Sequence, residues 1–123
     1  MKIPNEILTA YRRLSEKMDG QTSDFPLGTT PDNFGGRHLE ISDDGKMALV
    51  ATDRGAETER RETYLLDDLM YWMFRDRANS KAFYRRTAQY DYAASQRLAL
   101  DELGKISAEW RERLRKEQSG FRR

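Results

Sequence analysis

The chain has no cysteine and a single histidine, His38, among its 123 residues. The first absence excludes disulfides, thiolate metal centres, iron–sulfur clusters and a cysteine nucleophile, and the second excludes metal sites built from several imidazoles. Long apolar runs are also missing: nothing approaches the roughly 18 consecutive apolar residues that mark a membrane-spanning helix. The opening MKIPNEILTAYRRL carries charge where a leader or anchor would be apolar. No glycine-rich phosphate fingerprint and no Gly-x-Ser-x-Gly elbow occurs. The 22 basic and 21 acidic side chains nearly cancel, to a net +1, so bulk charge recommends neither nucleic acid nor any other polyelectrolyte as partner. These absences lead to the expectation of a soluble, cytoplasmic protein that is not an enzyme, holds no metal or cofactor and does not engage a membrane.

What is present bounds the fold. Charged residues make up 35% of the chain, against roughly 25% in ordinary globular proteins. The 37% hydrophobic fraction, with 5 Phe, 2 Trp and 6 Tyr, fills one modest core. The length suits one domain spanning residues 1–123.

Ile3, Ile7, Leu8, Tyr11, Leu14 and Met18 recur at spacings of three and four, which predicts a helix over about residues 4–18, stopped by Asp19-Gly20. From Asp19 to Gly36 the chain is almost wholly Gly, Pro, Ser, Thr, Asn, Asp and Gln, so it reads as a long loop, tacked down by Phe25, Leu27 and Phe34. Alternation starts at Arg37, with Leu39 and Ile41 on one face and His38, Glu40 and Ser42 on the other, polar one. Asp44-Gly45 signals a two-residue hairpin into a strand over Lys46–Asp53. A turn at Arg54-Gly55 leads to AETERRET, a strand so charged that it belongs at an edge, with Glu57, Glu59 and Arg61 on one face and Thr58, Arg60 and Glu62 on the other.

The remainder reads as helical. Thr63 is placed to cap a segment in which Leu65, Leu66, Leu69, Met70, Trp72, Met73 and Phe74 leave little polar surface, so this helix should be the central, buried one. Ala78-Asn79-Ser80 suggests its end or a kink, with helicity resuming through Phe83 and Tyr84. A further helix carries Tyr90, Ala94, Leu98 and Leu103 up to Gly104, and Ser107 caps a last one with Trp110 and Leu114 four apart. The expected fold is α+β: an N-terminal helix, a three-stranded antiparallel meander, then three to four helices. Periodicity leaves open whether Tyr71, Trp72 and Phe74 face the core or a partner.

Few residues offer chemistry. His38-Leu39-Glu40 matches half of a zinc deaminase signature whose cysteine half cannot exist here. Asp43-Asp44-Gly45 opens like a calcium loop, yet Gly45, Met47 and Arg54 stand where oxygen ligands would be needed, so turn chemistry explains it better. The last helix bears six cations, Arg111, Arg113, Arg115, Lys116, Arg122 and Arg123. They would suit a phosphate surface, and equally a solvated helix end with Glu109–Arg113 and Glu112–Lys116 pairs. Charge also separates along the chain: residues 1–63 hold 9 basic and 12 acidic side chains, residues 64–123 hold 13 and 9. The acidic excess lies on the meander, where carboxylates can attract a basic partner or form an ordinary solvated face.

The run from Asp53 to Phe74, a turn, a charged strand and an aromatic-ended helix, resembles the immunity protein 63 family of bacterial polymorphic toxin systems. The residues carrying the resemblance are Arg54, Gly55, Glu57 and Arg60 in an Arg-Gly-x-Glu-x-x-Arg stretch, and the triplet Met70-Tyr71-Trp72. Phe83-Tyr84, Asp91, Gln96, Leu98, Leu100, Ser107 to Trp110 and Arg113 follow in the family's order, so the likeness covers about residues 53–117 and hardly touches 1–36. Ala93 and Ala94 stand where the family tends to carry arginines. The resemblance implies a protein that binds a cognate toxin domain and blocks it stoichiometrically. On this reading Arg54, Glu57, Arg60 and Asp91 are structural ion-pair candidates, the first three bracing sheet to central helix. Toxin contact is expected from exposed, adaptable surface: Glu40, Asp43, Asp44, Glu59 and the Asp19 to Gly36 loop. The alternative reading is a nucleic-acid-binding accessory protein using the basic C-terminal helix.

Overall fold

The computed structural model describes residues 2–84 and 91–120. Tyr90, Arg122 and Arg123 lie outside the described residues. The element order is α1 (Asn5–Asp19), β1 (Phe34–Ile41), β2 (Met47–Asp53), β3 (Ala56–Thr63), α2 (Leu66–Tyr84), α3 (Tyr92–Gly104) and α4 (Ala108–Gly120), an α+β arrangement as expected. The strands form one antiparallel meander in the order β1-β2-β3. Two compact units partition the chain: the segment up to Arg12 with Ser23–Met70, and Arg13–Thr22 with Tyr71 onward.

The first unit holds the sheet. Every residue of β2 but Asp53 is buried, so both faces of the central strand are covered. Its core combines Leu39, Leu49, Val50, Leu69 and Met70 with Ile7 and Tyr11 from the amphipathic stripe of α1. His38, expected on a polar face, is 1% exposed. Alternation separates the two faces of a strand correctly but cannot say that both are covered.

Both hairpins form where expected, with a difference at the first. Gly45 N–H donates to the Ser42 carbonyl and Ser42 N–H to that of Lys46, and Gly45 sits at φ +90°. This is a three-residue loop with a left-handed glycine closing it, not a two-residue one. At the second hairpin Asp53 pairs with Ala56, and Arg54 and Gly55 both have positive φ, 53° and 82°, the signature of a tight primed turn. Glycine accepts that conformation freely, whereas an L side chain pays for it. Arg54→Asn should therefore raise stability by about 1 kcal/mol; a urea midpoint unchanged or lowered would contradict the strain.

Two bulges escape the sequence pattern. One, at Gly35-Gly36, lets β1 begin at Phe34, three residues before alternation becomes visible. The other shifts register between Ala51 and Thr52, leaving Thr58 as the extra residue of β3. It moves Glu57 off the face of Glu59 and Arg61, where simple alternation puts it, onto that of Arg60 and Glu62.

The long loop is held at several points. Phe25 packs edge-to-face on Tyr11 at 5.6 Å, Asp24 pairs with Arg12, and the Gly28 carbonyl accepts from Leu39 N–H at 2.9 Å. Asn33 donates to Thr52 Oγ1 and accepts from Arg54 N–H.

Thr63 does not cap α2 directly: its Oγ1 accepts from Leu65 N–H and donates to Asp68, fixing the approach to the helix. Leu65, counted above among the buried residues, precedes the helix and is 62% exposed. The expected break at Ala78-Asn79-Ser80 is absent, since α2 runs unbroken to Tyr84. Ala78 and Ala82, four apart and fully buried, let packing override the weak propensities of Asn79 and Ser80.

In the second unit Tyr71, Phe74, Ala78, Leu103, Trp110 and Leu114 form the core, which settles Tyr71 and Phe74 as interior residues; Trp72 is half-buried. Ser107 Oγ accepts from Trp110 N–H, capping α4 as expected. Tyr71 donates to Glu117 at 2.9 Å, meets Trp110 edge-to-face, and carries the Arg113 guanidinium 4.0 Å from its ring centre. A second network ties Asp19 and Glu102 together through Lys81, with Arg77 on Asp19 and Lys105 on Glu102.

Candidate functional site

The register of the meander lays its charged residues out in rows. His38, Val50 and Arg60 lie opposite one another across the three strands, Glu40, Ala48 and Glu62 form the next row, and Glu57 faces Thr52. Small or apolar residues in the middle strand leave the flanking ionic groups free to meet. Arg60 binds Glu57 through Nε at 3.1 Å and Nη2 at 2.5 Å, reaches Glu40 at 3.0 Å, and lies 3.6 Å from Glu62. Glu40 also meets His38 Nε2 at 2.8 Å, while Lys46 stands 3.4 Å from Glu62. On the other face Glu59 lies between Arg61 at 3.0 Å and Arg37 at 3.8 Å.

The electrostatics follow these contacts. The hydrogen bond to His38, reinforced by Arg60, outweighs burial and holds the Glu40 carboxyl below its ordinary value. Arg60 lowers Glu57 likewise, and Glu57 with Glu40 pushes the guanidinium upward. His38 Nδ1 is buried without a hydrogen-bond partner among the described residues. At 1% exposure the imidazole is closed to solvent.

Asp43 and Asp44 sit at the β1–β2 turn, and here the chemistry differs. Asp44 accepts from the Ser42 hydroxyl, from Tyr64 Oη at 2.6 Å and from Lys46 N–H at 3.2 Å. In order of size, Ser42, Tyr64 and the Lys46 backbone bring its carboxyl down to about 2, and the Tyr64 phenol rises in return. Because the folded value lies below the unfolded one, this turn gains from the Asp44 charge above about pH 4 and loses that gain as pH falls toward 2. A carboxyl-detected NMR titration should find Asp44 near 2 in the native protein and nearer its ordinary 3.8 in Tyr64→Phe; an ordinary value in both would refute the arrangement.

The residues singled out by sequence are thus distributed over several places. Glu40, Glu57 and Arg60 come together in one cluster, closed within the sheet through β1 where a brace to the central helix was expected. Arg54 lies exposed in the second turn, and Asp91 is the N-cap of α3, accepting from Ala94 N–H at 3.1 Å. Glu40 and Glu59 occupy opposite faces of the sheet, with Asp43 and Asp44 at one end of it. On α4, Glu112 pairs with Arg115 three residues on, and Arg113 turns to the Tyr71 ring. Sequence reasoning passed over Tyr64, exposed beside Asp44, and took its neighbour Leu65, also exposed, for part of the buried helix; the acidic Asp67-Asp68 pair that opens α2 was the one signal that the helix starts after them. Among the described residues no group of three or more His, Asp or Glu side chains is placed to hold a metal, and no helix is long and apolar enough to cross a membrane.

A model of the immunity protein 63 family matches residues 43–120, more than half of the chain. The chain belongs to that family. Membership implies a toxin as partner. The matched span opens at Asp43, so it takes in the first turn of the meander as well as the charged strand and the three helices that follow. No curated protein and no solved structure matches the chain.

Proposed function

We propose that this protein is a stoichiometric, non-catalytic inhibitor that binds a cognate toxin domain in the cytoplasm of the producing cell, the whole chain, residues 1–123, acting as one binding module without cofactor or metal. Family membership supports the class. The observation that carries the mode of binding is the division of charge between the two units. The sheet-bearing unit has 7 basic and 12 acidic side chains, a net of −5; the other has 15 and 9, a net of +6. The imbalance is sharper than in the two halves of the sequence, because folding assigns Asp67 and Asp68 to the acidic unit, while Arg13 and Lys17 pass to the basic one together with Glu16 and Asp19. A unit with this net charge attracts a basic surface at long range and speeds encounter. A toxin that handles nucleic acid presents such a surface, and the carboxylates would then compete with phosphate for it. Glu40, Asp43, Asp44 and Glu59 are the contact candidates in this unit.

The test is co-expression with the toxin domain encoded beside this chain. Host survival and recovery of a one-to-one complex are the expected results, with association slowed several-fold between low and physiological salt. Failure to protect, or protection by sub-stoichiometric amounts of protein through turnover, would overturn the proposal.

A further inference from the structure

We propose that the turn end of the sheet, where exposed Tyr64 is hydrogen-bonded to Asp44 beside Asp43 and is followed by exposed Leu65, is the docking hot spot for a Lys- or Arg-bearing surface of the toxin domain. This rests on the immunity reading above and names its contact surface and the partner's charge.

The first argument is charge that remains available. Glu40, Glu57, Glu59 and Glu62 each face Arg, Lys or His within 4 Å, so the charges of the meander largely cancel within it. Asp44 is held chiefly by neutral donors, two hydroxyls and a backbone N–H, which fix the carboxylate without cancelling it. Asp43, next to it, is exposed.

The second argument is exposed apolar area in the same place. Tyr64 and Leu65 are 60% and 62% exposed and consecutive, in the same unit as a well-filled core. An aromatic with a polar tip beside an aliphatic side chain, edged by carboxylates, is the composition of an interface hot spot. A basic side chain can lie over the Tyr64 ring while its charge meets Asp43 or Asp44.

Third, the site is pre-organised. The Tyr64 hydroxyl is bound to Asp44, the Asp44 loop is closed by Ser42 and Gly45, and Thr63 fixes the approach to α2, so the Tyr64 and Asp44 side chains have little freedom left to lose on binding. The open edge of β3 is the main competitor, but its charges are spent on internal pairs and blunt the edge against a partner strand.

The experiment measures binding kinetics of the full-length protein with the toxin domain encoded beside it. Tyr64→Ser with Leu65→Ser should weaken the complex by roughly thirtyfold or more, chiefly through faster dissociation. Asp43→Lys should slow association about tenfold at low salt, the difference shrinking as salt rises. Lys116→Glu, on α4 in the basic unit, should change neither rate. Tyr64, Leu65 and Asp43 are exposed, so cooperative melting is expected of the variants, lowered by a few degrees at most where the Tyr64–Asp44 hydrogen bond is lost, and verifies that they fold. Wild type bound tightly while the Tyr64/Leu65 and Asp43 variants stay within threefold of it would overturn this surface and leave the immunity reading standing. A loss confined to Lys116→Glu would also overturn it, in favour of the basic unit. A wild-type protein that neither binds nor protects would end both.

Discussion

Lys81→Met should cost about 2 kcal/mol, because it removes the ammonium that two carboxylates of the helical unit share and leaves each with one other cation, Arg77 on Asp19 and Lys105 on Glu102. Glu102 is 3% exposed at its side chain and Asp19 17%, and the single ammonium of Lys81 lies 2.9 Å from one and 2.6 Å from the other. Burial alone would raise both carboxyls. For Glu102 the hydrogen bonds from Lys105 and Lys81 more than reverse this, and for Asp19 those of Lys81 with the charge of Arg77 do the same, so both end below their ordinary values of 4.5 and 3.8. Two carboxyls with depressed folded values contribute stability that is complete above about pH 4.5 and drains away as pH falls. The variant should therefore differ most from wild type at neutral pH and converge on it in acid, where protonation removes the carboxylate charges that Lys81 compensates. Urea titrations at pH 7 and pH 4 read this directly. A deficit equal at both pH values would mean that Lys81 acts through its packing alone.

A second large effect is expected at the middle of the family triplet. Tyr71→Ala should destabilise by about 4 kcal/mol, as truncation of a fully buried aromatic does. Tyr71→Phe, which keeps the ring and its contacts with Trp110 and Arg113 but leaves Glu117 without its phenol donor, should cost about 1.5 kcal/mol. Burial first and Glu117 second push the phenol upward, so it remains a donor throughout the physiological range and neither cost should vary between pH 6 and 9. Affinity for the toxin domain, measured per folded molecule, should be unchanged in Tyr71→Phe. A weaker complex at undiminished stability would place Tyr71 in the interface.

These two expectations bear on how far the sequence could be read. Apolar spacing located α1, and the pairs Asp44-Gly45 and Arg54-Gly55 located both hairpins, because those signals are local: a period of 3.6 or 2, and residues tolerant of positive φ. The Ser107 cap was legible for the same reason. The burial of His38 was not, since coverage of a strand's second face depends on residues far away in the chain. The unbroken run of α2 through Asn79 and Ser80 was likewise decided by packing at Ala78 and Ala82. At the candidate site the abundance of carboxylates was plain, whereas which of them keep a free charge was not. That depends on the register of β3 against β2 and of β2 against β1, and the bulge at Thr58 has no residue-type signature. Hence Glu40 and Glu59, which looked as available as Asp43, prove to be bound in ion pairs, and the exposed Tyr64-Leu65 step was taken for the start of a buried helix.

The extra residue at Thr58 has a consequence for how this strand can change over generations. Deleting it would join Glu57 directly to Glu59, which keeps the two on opposite faces and leaves Glu57 beside Arg60, in the same register against Thr52 and Ala51. A single-codon deletion here would thus straighten the strand without altering either its ion pairs or the composition of charge. Point substitutions at the Asp43 tip likewise leave the pairing untouched. Drift toward a new adversary can therefore proceed by exchange of side chains at the tip, while the paired strand behind it tolerates the loss of its extra residue.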